Sequence, residues 1–313
     1  MKRENHSRVS EFILLGLSDQ PEQDRLLFLI FLLMYLITGL GNLLIILVIR
    51  IDPRLHTPMY FFLSNLSLVD ICFTTTTIPK MLVNYISGNK EILYISCLAQ
   101  VFFFVWFAGL DSILLASMAY DRYMAICAPL HYTMIMTPRL CVLLVAVCWF
   151  GACANALTHT VLLTQLSFCG HKEIPHFFCD LGVVIRLACS DTFINDLVIY
   201  TMGGLIAIIP FMGILISYFH IFVAILKIPS AYGKRKAFST CGSHLTVVCL
   251  FYGTMIGVYF NPTSTHTAQQ DITSTVMYTA VTPMLNPFIY SLRNNDMKGA
   301  LRMLLLRKSG FSL

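Results

Sequence analysis

Charged side chains are scarce in this chain. Only 12% of its 313 residues are Asp, Glu, Lys or Arg, about half of the roughly 25% that a soluble domain carries. Hydrophobic residues make up 57% and the mean hydropathy is +0.74. A water-soluble enzyme, a disordered regulator and a nucleic-acid binder all fit those numbers poorly. The net charge of +5 comes from 21 Lys and Arg spread thinly along the chain, with no basic stripe for nucleic acid. P-loop, zinc-protease and nucleophile-elbow motifs are absent, which leaves an enzyme without its usual signatures. The halves show no similarity of the kind that marks many transporters. Segments of about ten residues with alternating polarity, the mark of a membrane barrel, are missing too.

What is present is a set of long apolar runs. A helix needs about 20 mostly apolar residues to cross about 30 Å of hydrocarbon. Residues 26–49 form the clearest run, and further spans fall at about 57–82, 98–126, 140–164, 196–226, 239–260 and 272–292. The expected fold is an all-α membrane protein, a bundle of seven transmembrane helices. Its organisation reads as a tail over 1–25, a bundle over 26–292 and a second tail over 293–313.

The first 25 residues hold no apolar segment of signal-peptide type, so the first span is expected to direct its own insertion. Thirteen Lys and Arg fall in the segments 50–57, 121–139, 227–238 and 292–313, against eight in the alternate set. Positive charge concentrates on the cytoplasmic side, which predicts an extracellular N-terminus and a cytoplasmic C-terminus at the plasma membrane. Asn5-His6-Ser7 is a glycosylation sequon that agrees with this topology. A second sequon, Asn65-Leu66-Ser67, lies within a span.

Of 11 cysteines, seven lie in or beside spans, where Cys packs as a small apolar residue. Cys97, Cys169, Cys179 and Cys189 fall in segments expected outside the cell, where disulfides persist. Four cysteines allow three pairings, and spacing does not choose among them. A rival reading takes Cys169, His171, His176 and Cys179 as metal ligands.

Ionisable groups inside a membrane cost several kcal/mol and mark function by default. Asp70 lies about 18 Å along its helix from Pro58, Asp111 about 16 Å from Arg122, and Asn42 about 12 Å from Arg50, at 1.5 Å per residue. The three share one depth, which fits either an interhelical hydrogen-bond knot or a cation or proton site. Asp121 and Arg122 sit together at the cytoplasmic lip of the third span. The seventh span carries Pro283 and Pro287 around Asn286, then Tyr290. Two prolines four apart free backbone carbonyls, which Asn286 is expected to help satisfy.

The motifs EFILLGLSDQPE at 11–22, LHTPMYFFLSNLSLVD at 55–70, MAYDRYMAICAPLHY at 118–132, HFFCD at 176–180, KAFSTCGSHLTVV at 236–248 and PMLNPFIYSLRN at 283–294 run nearly end to end. With Gly41-Asn42 and Ser217-Tyr218 they closely resemble the odorant receptors, a class of rhodopsin-like G-protein-coupled receptors. The resemblance implies roles residue by residue. Asp121, Arg122 and Tyr123 form the cytoplasmic switch, supported by Tyr218, Asn286, Pro287 and Tyr290. Asn42, Asp70 and Asp111 match the positions of an interior cation site, for which Na+ and a proton are the alternative occupants, with Asp111 where the family usually has Glu. Pairing of Cys97 with Cys179 and of Cys169 with Cys189 is likewise implied, as is a short amphipathic helix on the inner leaflet over 293–309.

The pocket the resemblance implies lies between the third, fifth, sixth and seventh spans. Its expected members are Phe104, Val105, Ala108, Gly109, Met202, Ile206, Tyr252, Met255, Tyr259 and Thr279. The set is mainly apolar, with three hydroxyls and no Lys or Arg, and suits a small neutral volatile. Phe104 stands where amine receptors carry an anchoring Asp, and no Lys lies between 271 and 292 to bind retinal. No cofactor is expected. The implied partners are a small volatile organic ligand, a stimulatory heterotrimeric G protein of olfactory type that raises cyclic AMP, and the lipid bilayer.

Overall fold

The computed structural model describes residues 9–18, 20–259, 273–293 and 295–309. Among these residues, six helices are long and apolar enough to cross a membrane. They are α1 (Pro21–Ile51), α2 (Pro58–Ser87), α3 (Tyr94–Cys127), α5 (Pro138–Thr164), α7 (Phe193–Leu226) and α8 (Ala231–Tyr259). A seventh, α9 over 273–293, is more polar and completes the bundle. Short helices α4 (Pro129–Ile135) and α6 (Leu181–Arg186) lie in connections, and α10 (Asn295–Ser309) follows the seventh span.

The boundaries follow local chemistry. α1, α2, α4 and α5 each begin on a proline, whose missing N–H and fixed φ suit the first helical position. α2 stops at Gly88, which takes φ +68°, a left-handed conformation that glycine adopts without a Cβ penalty. Thr137 caps α5 through the Leu140 N–H. Asp180 caps α6 through the N–H groups of Gly182 and Val183. α8 begins eight residues before the expected span, so Lys234 and Arg235 belong to the helix. Lys and Arg are good helix formers, and α8 continues past its apolar stretch.

Large apolar side chains cover the outer faces, among them Leu29, Leu33, Leu40, Phe150 and Phe219. Such surface suits hydrocarbon rather than water, and the chain is a multi-pass membrane protein. Inside, Phe104 packs on Phe73 and Phe178 with ring centroids 4.9 and 4.8 Å apart, and Phe73 meets Tyr278 at 5.4 Å.

One feature departs from an all-helical reading. Glu11–Leu14 forms a strand, β1, that pairs antiparallel with β2 (Glu91–Leu93) and parallel with β3 (Glu173–Ile174). Alternation turns Phe12 and Leu14 inward, both fully buried. They join Ile92, Leu98, Val101, Phe168 and Ile174 in a second apolar cluster on the N-terminal face of the bundle. The N-terminal segment is thus a structural strap across the loops before α3 and α6.

Candidate functional site

The two disulfides lie on that N-terminal face. Cys97 bonds Cys179 and Cys169 bonds Cys189. Both thiols of the rival metal reading are therefore consumed, and its ligand set is lost. Gln100 completes the join: its amide donates to the Thr76 carbonyl at 2.8 Å, and its carbonyl accepts the Cys179 N–H at 2.9 Å. Gln100 reads in the sequence only as a polar residue near a helix start. Asn5 lies outside the described residues.

At the middle of the bundle Asp70, Asp111 and Asn286 line one small internal cavity with Leu66, Leu115, Val247, Phe251, Tyr278, Thr282 and Pro283. It has room for about one water-sized sphere. Asp70 and Asp111 thus meet as their common depth predicts, but Asn42 does not line the cavity. The Asn286 side chain corrects its expected role. Its amide donates to both Asp70 oxygens, at 3.1 and 2.9 Å, rather than to a backbone carbonyl. Pro287 has no N–H for the carbonyl of Pro283, four residues back, and the Asn42 amide of α1 takes that carbonyl at 3.4 Å. Oxygens remain unpartnered on Asp111, Asn42 and Asn286.

Nearer the C-terminal face, α3, α7 and α8 are clasped together. Tyr218 OH and His244 Nδ1 lie 2.7 Å apart, and His244 Nε2 lies 3.1 Å from the Leu115 carbonyl. That carbonyl can only accept, so Nε2 carries the proton and Nδ1 accepts from Tyr218 in the neutral ring. Asp121 is buried and accepts the Tyr132 hydroxyl of α4 at 2.8 Å. Arg122 is half-buried and forms no ion pair with Asp121 among the described residues. Tyr123 packs edge-on against His220. Tyr290 is buried with its hydroxyl unpartnered, so Tyr218 and Tyr290 are not joined. His244 and Tyr132 sit within quoted motifs, but their partners come from packing that no spacing reveals. Burial and the neighbouring Asp121 push the Tyr132 phenol above its ordinary range, which keeps it a donor.

The expected pocket residues separate. Phe104 is buried in the aromatic cluster. Gly109 lies against α5 and α7, where an added Cβ would meet Ala152 at 3.4 Å and Ile206 at 3.5 Å. Val105, Ala108 and Met255 are half-buried. Tyr252 is buried, with its hydroxyl 2.8 Å from Ser112 Oγ, which also donates to the Ile206 carbonyl at 2.9 Å. Thr279 is buried and donates to Thr275 at 2.8 Å. Met202 is the exception. A π-turn over Ile199–Gly203 shifts the phase of α7 and leaves Met202 39% exposed on the outer face. The Tyr259 side chain lies outside the described set.

Squid rhodopsin shares this fold with a TM-score of 0.70 over 91% of this chain and 85% of its own, at 18% identity. Seven helices among the described residues, around a buried polar centre and with a loop disulfide at the head of α3, make a membrane protein of rhodopsin-like fold. Within that class the sequence is more specific. The family model for the olfactory receptors matches residues 31–308. Olfactory receptor 1M1 of Mus musculus is 59% identical over 98% of each chain, and olfactory receptor 1J4 of Homo sapiens is 58% identical over 100% of each. The chain belongs to the olfactory receptor family. It is a signalling receptor and not an enzyme.

Proposed function

We propose that this receptor binds a small, mainly apolar volatile within the bundle and activates a stimulatory, olfactory-type heterotrimeric G protein, raising cyclic AMP. Its N-terminal face is then extracellular and its C-terminal face cytoplasmic. The supporting observation is that α8 bears on both sites. At ligand depth its Tyr252 reaches Ser112 of α3, and two turns away its His244 holds Tyr218 and the Leu115 carbonyl beside the Arg122 end of α3. A ligand that favours an arrangement with α8 displaced shifts a pre-existing equilibrium by its differential affinity and no more. Opening that clasp exposes Arg122 to a partner protein. The basic pair Lys234 and Arg235 stands on the same helix, where an acidic surface can meet it.

The interior cluster fits a Na+ ion by its donors. Asp70, Asp111 and Asn286 present oxygen ligands around a space of suitable size, and hard cations take oxygen ligands. When bound, the ion would neutralise buried carboxylate charge. The test of function is agonist-dependent cyclic AMP in transfected cells, lost in Arg122→Ala at matched surface expression. Ligand-evoked current or uptake without any G protein would overturn the reading.

A further inference from the structure

The loop between α5 and α7 roofs the centre of the bundle. Its Phe178 packs on Phe104 of α3 with ring centroids 4.8 Å apart, and Phe177 and His176 close around it at 5.0 and 4.7 Å. Both phenylalanines are fully buried. Phe104, Ala108 and Asp111 follow one another at helical spacing along one face of α3. Phe178 therefore lies over the column that leads from the N-terminal face down to the cavity at Asp111. After the roof, Cys179 is fixed to Cys97 at the head of α3, and the Cys169–Cys189 bond closes the loop on itself. Those two holds are covalent.

The hold on the other end of the roof is not. The N–H of Ile13 donates to the Lys172 carbonyl at 2.8 Å, that of Leu15 to Ile174 at 3.0 Å, and that of Gly16 to His176 at 3.3 Å. The last of these reaches the residue directly before Phe177. The ladder joins a four-residue strand to a two-residue one, and pairings this small are marginal by themselves. The far side of β1 is anchored instead to the loop before α3. Leu14 donates to the Lys90 carbonyl at 2.9 Å, and Lys90 Nζ donates to the Leu15 carbonyl at 2.8 Å. Lids come from the weakly held parts of a fold, and the β1–β3 ladder is such a part.

We infer that β1 is a releasable latch on the loop that roofs the ligand pocket, and that parting β1 from β3 opens the outer mouth to water-borne ligand. The inference rests on the proposed pocket and orientation and adds how the pocket is reached. Ile13 offers a handle on the latch. It lies in register with Glu91 on one side and Glu173 on the other, and both glutamates are exposed. Alternation points Ile13 to the same outer face, away from the buried Phe12 and Leu14. Neighbouring strands stand about 4.8 Å apart, so a charge at position 13 sits between two carboxylates. Lysine there pulls the strands together and glutamate pushes them apart. Lys and Glu are both poor strand formers, so the two substitutions share the cost of losing Ile and differ in the sign of the charge.

The test is accessibility of a thiol beneath the roof in the purified full-length receptor in lipid nanodiscs, without ligand or G protein. Ala108→Cys places the thiol one turn below Phe104. The probe is methanethiosulfonate ethyltrimethylammonium, a cation confined to water, with labelling of that site followed by mass spectrometry. In this background labelling should be slow. Ile13→Glu should accelerate it roughly threefold and Ile13→Lys should slow it roughly threefold, a spread of about tenfold between them. Salt near 1 M should collapse the spread, because exposed charges are screened. The inference is overturned if labelling is already fast before position 13 is changed, or if all three receptors label at one rate. It is equally overturned if both substitutions accelerate labelling alike while lowering the melting temperature, as a purely structural strand would. A receptor that labels as expected but raises no cyclic AMP counts against the signalling reading alone.

Discussion

Asn286 on α9 donates hydrogen bonds to both carboxylate oxygens of Asp70 on α2, at 3.1 and 2.9 Å. This contact ties the proline-kinked helix to the centre of the bundle, with both residues buried. Hydrogen bonds to charged groups contribute about 1.5–3 kcal/mol. Asn286→Ala should therefore lower the melting temperature of the purified receptor, and Asn286→Asp should lower it further by setting two carboxylates together. Combining Asp70→Asn with Asn286→Asp rebuilds a carboxylate–amide pair and should recover much of the loss. Additive damage in that double variant would show that the two residues act separately.

Asp111 shares the cavity with Asp70, and its Oδ1 is unpartnered. If Na+ neutralises this site, exchanging Na+ for N-methylglucamine at constant ionic strength should lower receptor stability. Asp111→Asn removes a ligand charge and should abolish that difference. Equal melting temperatures of the unmodified receptor in both salts would exclude the ion.

The sequence shows the membrane spans because each is a long, mainly apolar run, and it shows Asp70 and Asp111 because carboxylates stand out there. Depth by helical rise brings those two together correctly, but it carries no azimuth, so it also places Asn42 at the cavity when that side chain serves Pro283. The strand Glu11–Leu14 escapes a local reading. Four alternating residues are too short to announce a strand, and their partners lie about 80 and 160 residues away. Met202 is misplaced for a different reason, since regular helical spacing does not anticipate a π-turn.

His244 holds two hydrogen bonds, one to Tyr218 and one to the Leu115 carbonyl. His244→Phe keeps an aromatic ring of similar size and removes both. With a net contribution near 1 kcal/mol each, the closed arrangement loses enough to raise ligand-independent cyclic AMP several-fold at matched surface expression. Unchanged basal signalling would mean that the clasp does not bias the equilibrium.

Tyr132 draws Asp121 toward α4 with a 2.8 Å hydrogen bond, and Arg122 is left without an ion pair to it. Tyr132→Phe frees the carboxylate to pair with Arg122, which should reduce agonist efficacy without altering ligand binding. Burial, then Asp121, raises the Tyr132 pKa in the folded protein. The sign follows directly: the stabilisation is complete below the unfolded phenol value near 10 and is lost only as pH rises through the higher folded value. The contrast between the unmodified receptor and the Tyr132→Phe variant should therefore stay constant from pH 6 to about pH 9. A contrast that faded across that range would point to a different titrating group.

Gly41 on α1 faces the proline of the α9 kink. A Cβ added there would lie 3.0 Å from Pro287 Cβ and 3.1 Å from its Cγ, and a proline ring has little freedom to retreat. Gly39, two residues earlier, has nothing within 4 Å of the same position. The two glycines separate helix propensity from packing. Gly39→Ala should leave stability unchanged or raise it by about 0.5–1 kcal/mol, the helix-interior cost of glycine. Gly41→Val should push α1 away from α9, strain the Asn42–Pro283 contact one residue on, and cost about 1–3 kcal/mol as overpacking does. Melting temperatures of both variants, measured together, decide it: if Gly41→Val is as stable as Gly39→Ala, the close approach of α1 to the kink has no energetic weight.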